Sequence, residues 1–300
     1  MARLVHLSDL HFGAHDERLV EAVEESIDEL KPELVVISGD FTQRAKTEQF
    51  EEACSFLERL QNAGHEVLGV PGNHDVPLYD VLRRFLSPLA RYRRFIDDNL
   101  CPFVELPGIA VLGVNTARSL TFKDGRINEQ QVAFIRETFS RTPSESFRVL
   151  VTHHPLFALS VGEEVTRAIG RQELALDAIQ EAGVDMLLAG HNHHASTHSA
   201  SDLVTRAGGA LVVQAGTATS TRVREQEQSF NTIDVAEAAV TITVNAWKKD
   251  RFVPLDAQRY AWEEGRWRSA SAAEPAHKLV ARPHARLEAA NGASFRLRCK

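Results

Sequence analysis

Short runs of apolar, mostly β-branched residues alternate along the chain with segments whose apolar positions recur at helical spacing. Leu4–Leu7 predicts a first strand, and the amphipathic stretch from Arg18 to Pro32 predicts a helix that the proline stops. Leu34–Ser38 is nearly all apolar, as expected of a strand covered on both faces. Thr47–Ala63 reads as a second helix closing at Gly64, and Glu66–Val70 as a third strand. The rhythm returns with strands at Ala110–Thr116, Arg148–His153 and Val184–His191, and helices at Asn128–Phe139 and Arg171–Ala182. Strand and helix in succession imply parallel pairing through right-handed crossovers. After His191 the pattern changes. Thr197–Arg206, Ala210–Ala215, Ser229–Val235 and Val240–Trp247 read as consecutive strands joined by short turns, hence an antiparallel sheet. The expectation is an α/β fold of two sheets packed face to face with helices outside.

Residues 1–250 form the predicted domain, and 251–300 a partly irregular C-terminal extension whose periodicity fades from about Ala270. Within the domain, 77–102 is a helical insertion. It carries Arg83, Arg84, Arg91, Arg93 and Arg94, interleaved with Phe85, Tyr92 and Phe95. Two readings stand: a helix pair covering a sheet edge, or a cationic, partly apolar lid that touches substrate and offers peripheral membrane contact.

The chemistry sits where the strands end. The first ends in Ser8-Asp9-Leu10-His11, the second in Gly39-Asp40 and the third in Gly72-Asn73-His74-Asp75. Later ones end in His153-His154-Pro155 and Gly190-His191-Asn192-His193. Each alone reads as turn chemistry. Ligands of open α/β sheets bind outside the carboxyl ends of strands, so the five endings would converge. Independent turns have no reason to place imidazoles and carboxylates together at one end of a sheet. Imidazole nitrogen mixed with carboxylate and amide oxygen, without thiolate, suits Mn, Fe, Co, Ni or Zn. There are donors enough for two divalent transition-metal ions if one carboxylate bridges them. Two such ions, less the charges of Asp9, Asp40 and a bridging hydroxide, leave about one positive charge, which suits a phosphodiester. Asn115, Thr116 and Arg118 follow another strand end, where they either bind substrate or form a turn.

In this order, Asp9-Leu10-His11, Gly39-Asp40, Gly72-Asn73-His74-Asp75, His153-His154-Pro155 and Gly190-His191-Asn192-His193 resemble the signature blocks of the calcineurin-like metallophosphoesterases. They span nearly two-thirds of the chain. The resemblance implies a four-layer αββα sandwich of two mixed β-sheets flanked by helices. It also implies one metal on Asp9, His11, Asp40 and His193, and another on Asp40, Asn73, His153 and His191. His153 is taken rather than His154 because the first histidine of that pair ligates in relatives. His74 is implied to be catalytic, facing the phosphoryl group to stabilise developing charge or protonate the leaving oxygen. Asp75 either orients His74 or caps the next helix. Gln43 stands where the phosphoprotein-phosphatase branch has a second Asp, and Gly39-Asp40-Phe41-Thr42-Gln43 is similar to bacterial phosphodiesterases, including the class III cyclic-nucleotide enzymes.

The resulting expectation is a dinuclear-metal phosphodiesterase in which a metal-bridging hydroxide attacks a small phosphodiester, 3′,5′-cyclic AMP being one candidate. Alternatives are a UDP-diacylglucosamine-type lipid pyrophosphate hydrolase, a DNA nuclease and a non-catalytic scaffold. The net charge of −7 disfavours a stable nucleic-acid partner. The start of the chain lacks a signal-peptide pattern and no apolar run spans a membrane, so a cytoplasmic location is expected. The three cysteines, far apart and odd in number, read as isolated thiols.

Overall fold

The computed structural model describes residues 2–270, apart from 121–123, 158–159, 162–163, 166–167, 200–208, 222–226, 237–238, 256 and 264–265. The chain opens with β1 (Ala2–Leu7), α1 (Glu17–Leu30), β2 (Leu34–Ile37), α2 (Thr47–Asn62) and β3 (Val67–Gly69). The insertion holds α3 (Val81–Leu86) and α4 (Ala90–Phe95). Next come β4 (Phe103–Leu106), β5 (Ile109–Gly113), α5 (Glu129–Ser140), β6 (Phe147–Val151), the hairpin of β7 (Ser160–Val161) and β8 (Glu164–Val165), α6 (Gln172–Glu181) and β9 (Met186–Ala189). The remainder is all strand: β10 (Ser196–Ser199), β11 (Leu211–Gln214), β12 (Ser229–Ala236), β13 (Ala239–Lys248), β14 (Arg251–Pro254), β15 (Gln258–Glu263) and β16 (Arg266–Ala270).

Local chemistry sets the helix ends. The Asp16 side chain caps α1 by accepting from Arg18 N at 3.0 Å, and Lys31 closes the helix in the left-handed region just before Pro32. Asn128 and Gln131 cap α5 reciprocally, with Gln131 N to Asn128 Oδ1 at 2.9 Å and Asn128 N to Gln131 Oε1 at 3.1 Å.

One sheet runs β16–β15–β13–β12–β1–β2–β3, with β14 on the other end of β13. Its strands β1, β2 and β3 are parallel, and β12 joins β1 antiparallel. The other sheet runs β10–β11–β9–β6–β5–β4; β5, β6, β9 and β11 are parallel, with β4 and β10 antiparallel at its edges. The period of two then sorts side chains into layers. Val5, Leu7, Val35 and Ile37 pack under Val20, Val23 and Ile27 of α1 and Phe50 and Phe56 of α2. Leu4, Leu34 and Val36 face Val149, Met186, Leu188 and Val213 of the other sheet. Beyond that sheet, Leu112, Leu150 and Leu187 pack under Ile135 and Phe139 of α5 and Ile179 of α6. The order is helix, sheet, sheet, helix, as the resemblance implied.

Several expectations need correction. The late strands do not make one antiparallel sheet: β10 and β11 extend the second sheet, with β11 parallel to β9, while β12 and β13 complete the first. The reason is burial. β1 is almost wholly buried, so its free edge must be covered, and β12 covers it. Only Thr197–Ser199 of the run predicted at 197–206 forms strand in the described residues; 200–206 lie outside them. The sheet also does not stop at residue 250, since β14, β15 and β16 continue it to Ala270; the rest of the extension, 271–300, lies outside the described residues. Cys54 is a free thiol and Cys101 is buried, while Cys299 lies outside the described residues.

The insertion divides between its two readings. α4 packs on α2, with Phe95 stacked on Phe50 and buried Tyr92 edge-on to Phe41, and so covers the β3 edge of the first sheet. Its cationic character is reduced by bonds inward: Arg84 donates to the carbonyls of Ser119 and Pro77, and Arg91 to that of Ala45. The face α3 turns to solvent is instead apolar, carrying Leu82 at 73 % and Leu86 at 75 % exposure.

Candidate metal centre

Five loops carry the candidate donors. They leave β1 (Asp9, His11), β2 (Asp40), β3 (Asn73, His74), β6 (His153) and β9 (His191, His193) at their carboxyl ends, the first three from one sheet and the last two from the other. Asp9, His11, Asp40, His191 and His193 all have left-handed backbone, with φ between 52° and 72°. Such residues are uncommon and need support from their surroundings. Here Asp9 N donates to Gly39 O at 3.1 Å and His11 N to Asp40 O at 2.9 Å, locking the first two loops together. Thr217 Oγ1 donates to Asp9 O and Thr219 Oγ1 to Leu10 O, each at 2.7 Å. Two glycines permit the close approach. A Cβ at Gly72 would stand 2.1 Å from Asp40 Oδ1, and one at Gly190 would stand 1.8 Å from Ser8 Oγ.

The donor atoms fall into two groups. In one, His193 Nε2 lies 3.3 Å and His11 Nε2 3.6 Å from Asp9 Oδ1; the two imidazole nitrogens are 3.2 Å apart, and His11 Nε2 is 3.9 Å from Asp40 Oδ2. In the other, His153 Nε2 lies 3.4 Å from the same Asp40 Oδ2 and 3.1 Å from Asn73 Oδ1, which is 3.0 Å from His191 Nδ1. Donors held about 2.0–2.2 Å from one ion stand about 3–3.5 Å apart, so this spacing is that of a coordination shell. Asp9 Oδ1 is buried and accepts no hydrogen bond. A buried carboxylate oxygen without a donor is costly, and a cation is what would satisfy it. The donor set therefore has the chemistry and spacing to hold metal ions, with the Asp40 carboxylate between its two groups.

Electrostatics point the same way. Burial alone would raise Asp9, but His193 and then His153 outweigh it and hold the carboxyl below its usual range. Asp40 is held well below that range against burial, chiefly by His153 and His74. Burial pushes His11 and His191 down to about 4, so both imidazoles are neutral with lone pairs to offer. Burial also opposes charge on His153, yet Asp40 lifts it to about 9. A proton on His153 thus stands in for positive charge between the carboxylates, and a metal ion would displace it.

His74 lies beside this cluster, its ring edge-on to His11 with centroids 4.8 Å apart. His74 Nδ1 is 2.8 Å from Gln43 O, which can only accept, so Nδ1 carries the proton and Nε2 is left for substrate. Asp75 neither orients this ring nor caps a helix. It accepts from the backbone N–H groups of Gly72, Phe41 and Thr42 at 2.9, 3.2 and 2.9 Å, tying the Asp40 loop to the Asn73 loop. Burial, then Asp40, pushes its carboxyl up to about 6. His154 Nδ1 is 2.8 Å from Thr116 Oγ1, while its ring lies 4.8 Å from that of His191 and forms a third imidazole beside His153 and His191. Asn115 forms a turn, its Oδ1 accepting from Ala117 N at 2.9 Å. Arg118 donates to the carbonyls of Asn115 and Ala117 and to Gln131 Oε1, outside the donor cluster. Sequence reasoning missed the supports Thr217 and Thr219, and the blocks that hold Ser8 and Gly190 give no sign that these two residues pack against each other.

The sequence model for the calcineurin-like phosphoesterases matches residues 2–195. The chain belongs to that family. It is 26% identical over 171 residues to the probable glycerophosphodiester phosphodiesterase GpdQ of Arcobacter nitrofigilis, covering 56% of this chain and 59% of that protein. A shorter match of 78 residues, 33% identical, covers 26% of this chain and 23% of the UDP-2,3-diacylglucosamine pyrophosphatase LpxG of Chlamydia muridarum. The chain thus spans less than two thirds of the length of either curated relative. In fold it is similar to the purple acid phosphatase PPD1 of yellow lupin, with a TM-score of 0.65 at 12% identity over 86% of this chain and 53% of that one. Among the described residues, no helix is long and apolar enough to cross a membrane.

Proposed function

We propose that this calcineurin-like phosphoesterase is a metal-dependent phosphodiesterase acting on small phosphodiesters. The observation that carries the reading is Asp40 Oδ2, shared by two donor groups, 3.9 Å from His11 Nε2 and 3.4 Å from His153 Nε2. Asp9, His11, Asp40 and His193 would hold one ion; Asp40, Asn73, His153 and His191 would hold the other. Bound there, a pair of divalent transition-metal ions supplies an activated water and polarises the phosphoryl oxygens. The protein's own groups do the rest. The Asp75 clamp fixes the Asp40 and Asn73 loops relative to each other, so the reacting phosphorus meets a preset geometry. With Nδ1 committed to Gln43, His74 in its protonated form presents Nε2–H to the oxygen that leaves.

Glycerophosphodiesters are the preferred substrate class, supported by the relative of that name; 3′,5′-cyclic AMP, a cyclic nucleotide diester, is a separate candidate. The lipid-linked pyrophosphate reading has two findings in its favour, the exposed apolar face of α3 and the short match to the diacylglucosamine pyrophosphatase. The test is turnover of bis(p-nitrophenyl) phosphate with manganese, followed by glycerophosphodiesters, cyclic nucleotides and nucleotide-lipid pyrophosphates. A metal-loaded protein inert towards all of them sinks the proposal. His74→Ala should lower kcat by about 10²–10⁴-fold while the bound metal is retained; loss of metal as well would make His74 a ligand.

A further inference from the structure

Beside the candidate centre lies a cavity of about 510 Å³, lined by Val76, Leu89, Leu100, Ala117, Arg93 and Arg118 among others. Its size is that of a small-molecule site, which is typically about 300–1,000 Å³. Two of its walls belong to the loops that carry or flank the donors. Val76 closes the turn that begins at Asn73, its N–H 3.3 Å from Asn73 O. Asn115 and Ala117 line the cavity, while Thr116 between them meets His154 at 2.8 Å on the side of the donors. A substrate arm leaving the reacting phosphorus past the Asn73 loop would enter here.

The chemistry of the lining is apolar with one feature that apolar walls do not explain. Arg118 is half-buried, and its bonds among the described residues go to neutral oxygens: the carbonyls of Asn115 and Ala117 and the side chain of Gln131. Burial, then the nearby Arg126, works against its charge, and among the described residues no carboxylate bonds to it. Arg93, by contrast, has Asp98 at 3.0 Å. A guanidinium desolvated without a counter-ion is poised for an anion, whose charge-assisted hydrogen bonds are stronger than those it now makes.

We propose that this cavity is the specificity subsite of the phosphodiesterase, and that it takes a substrate arm with an apolar body ending in a second anion, held by Arg118. This rests on the function proposed above and narrows its substrate class to diesters with an additional carboxylate or phosphate.

The test uses full-length, manganese-loaded protein and two non-hydrolysable probes, phenylphosphonate and 4-carboxyphenylphosphonate, compared by titration calorimetry. The carboxylated probe should bind at least tenfold tighter. Arg118→Gln should erase that margin and Arg118→Lys restore part of it. Ser119→Phe, which fills the cavity from an accessible position, should weaken both probes. Equal affinities for the two probes, or a margin that survives Arg118→Gln in a protein of native melting temperature, overturns the subsite. Failure of the function itself would show differently, as absent turnover of bis(p-nitrophenyl) phosphate whatever the probes do.

Discussion

The strand-end loops bury polar atoms, whereas the insertion that begins beside His74 exposes apolar ones. Asp9, His11, Asp40 and His153 are all but inaccessible, held in a shell of nitrogens and oxygens. On the insertion, Leu78, Tyr79, Val81, Leu82, Phe85 and Leu86 lie open within nine residues. Both regions invert the pattern that built the layers, and both lie on the side where the strands end. Buried polar groups are tolerated where they are satisfied, and exposed apolar patches persist where something meets them. The contrast separates a rigid reacting centre from a surface with little structural duty.

The largest effect should come from the atom that both donor groups share. Asp40→Ala should lower turnover of bis(p-nitrophenyl) phosphate at least about a thousandfold and reduce bound metal from about two ions per chain to one or none. A variant that keeps both ions and most of its activity would dissolve the distinction between the loops and the insertion. Gly190→Ala tests the tightness of the loops without replacing a donor, although its Cβ would also stand 2.7 Å from Asp9 Oδ2. Its Cβ would press on Ser8 Oγ, so unfolding free energy should drop by about 1–3 kcal/mol in urea titrations.

The pH response follows from the polar layer below the loops. His6 is buried with Nε2 2.9 Å from Ser38 Oγ, and burial pushes its pKa down to about 3. Below the unfolded value of about 6.5, the unfolded chain takes up a proton that the folded chain refuses, so stability falls on acidification and the loss continues towards the folded value. Between pH 6.5 and 5.5 the His6 share of that loss is about 1 kcal/mol; His11 and His191 add theirs in metal-free protein, so His6→Gln should make the acid limb shallower without abolishing it. An acid limb of unchanged slope would mean that His6 has no share in it. The smallest effect belongs to the insertion: Leu82→Ser should shift stability by no more than about 0.5 kcal/mol. A larger loss would show that the exposed face packs on something.

Much of this was legible because buried parallel strands announce themselves. Leu34–Ile37 and Met186–Ala189 are unbroken apolar runs, and a polar ending after each is conspicuous. The strands β14, β15 and β16 were not, because Arg251, Gln258 and Arg266 give them the look of irregular chain, although Ala261 and Trp267 are buried. Nor does a local pattern choose a partner strand, which is why the late strands read as one antiparallel sheet although they divide between two. At the centre, imidazoles and carboxylates were readable one block at a time. The role of Asp75 was not, since its partners Phe41 and Thr42 lie more than thirty residues away and are backbone groups. Thr217 and Thr219 reach the first loop from more than two hundred residues along the chain.

The shared oxygen of Asp40 also bears on the order in which the molecule assembles. Its neighbours His11 and His153 come from different sheets, and Asp9 waits for His193, 182 residues beyond His11. Such contacts close only after both sheets have formed and docked, so a cation would find its full shell in the finished fold and hardly at all in the folding transition state. Its grip would then be felt as slower escape from the native basin, leaving the pace of arrival there to the hydrophobic layers.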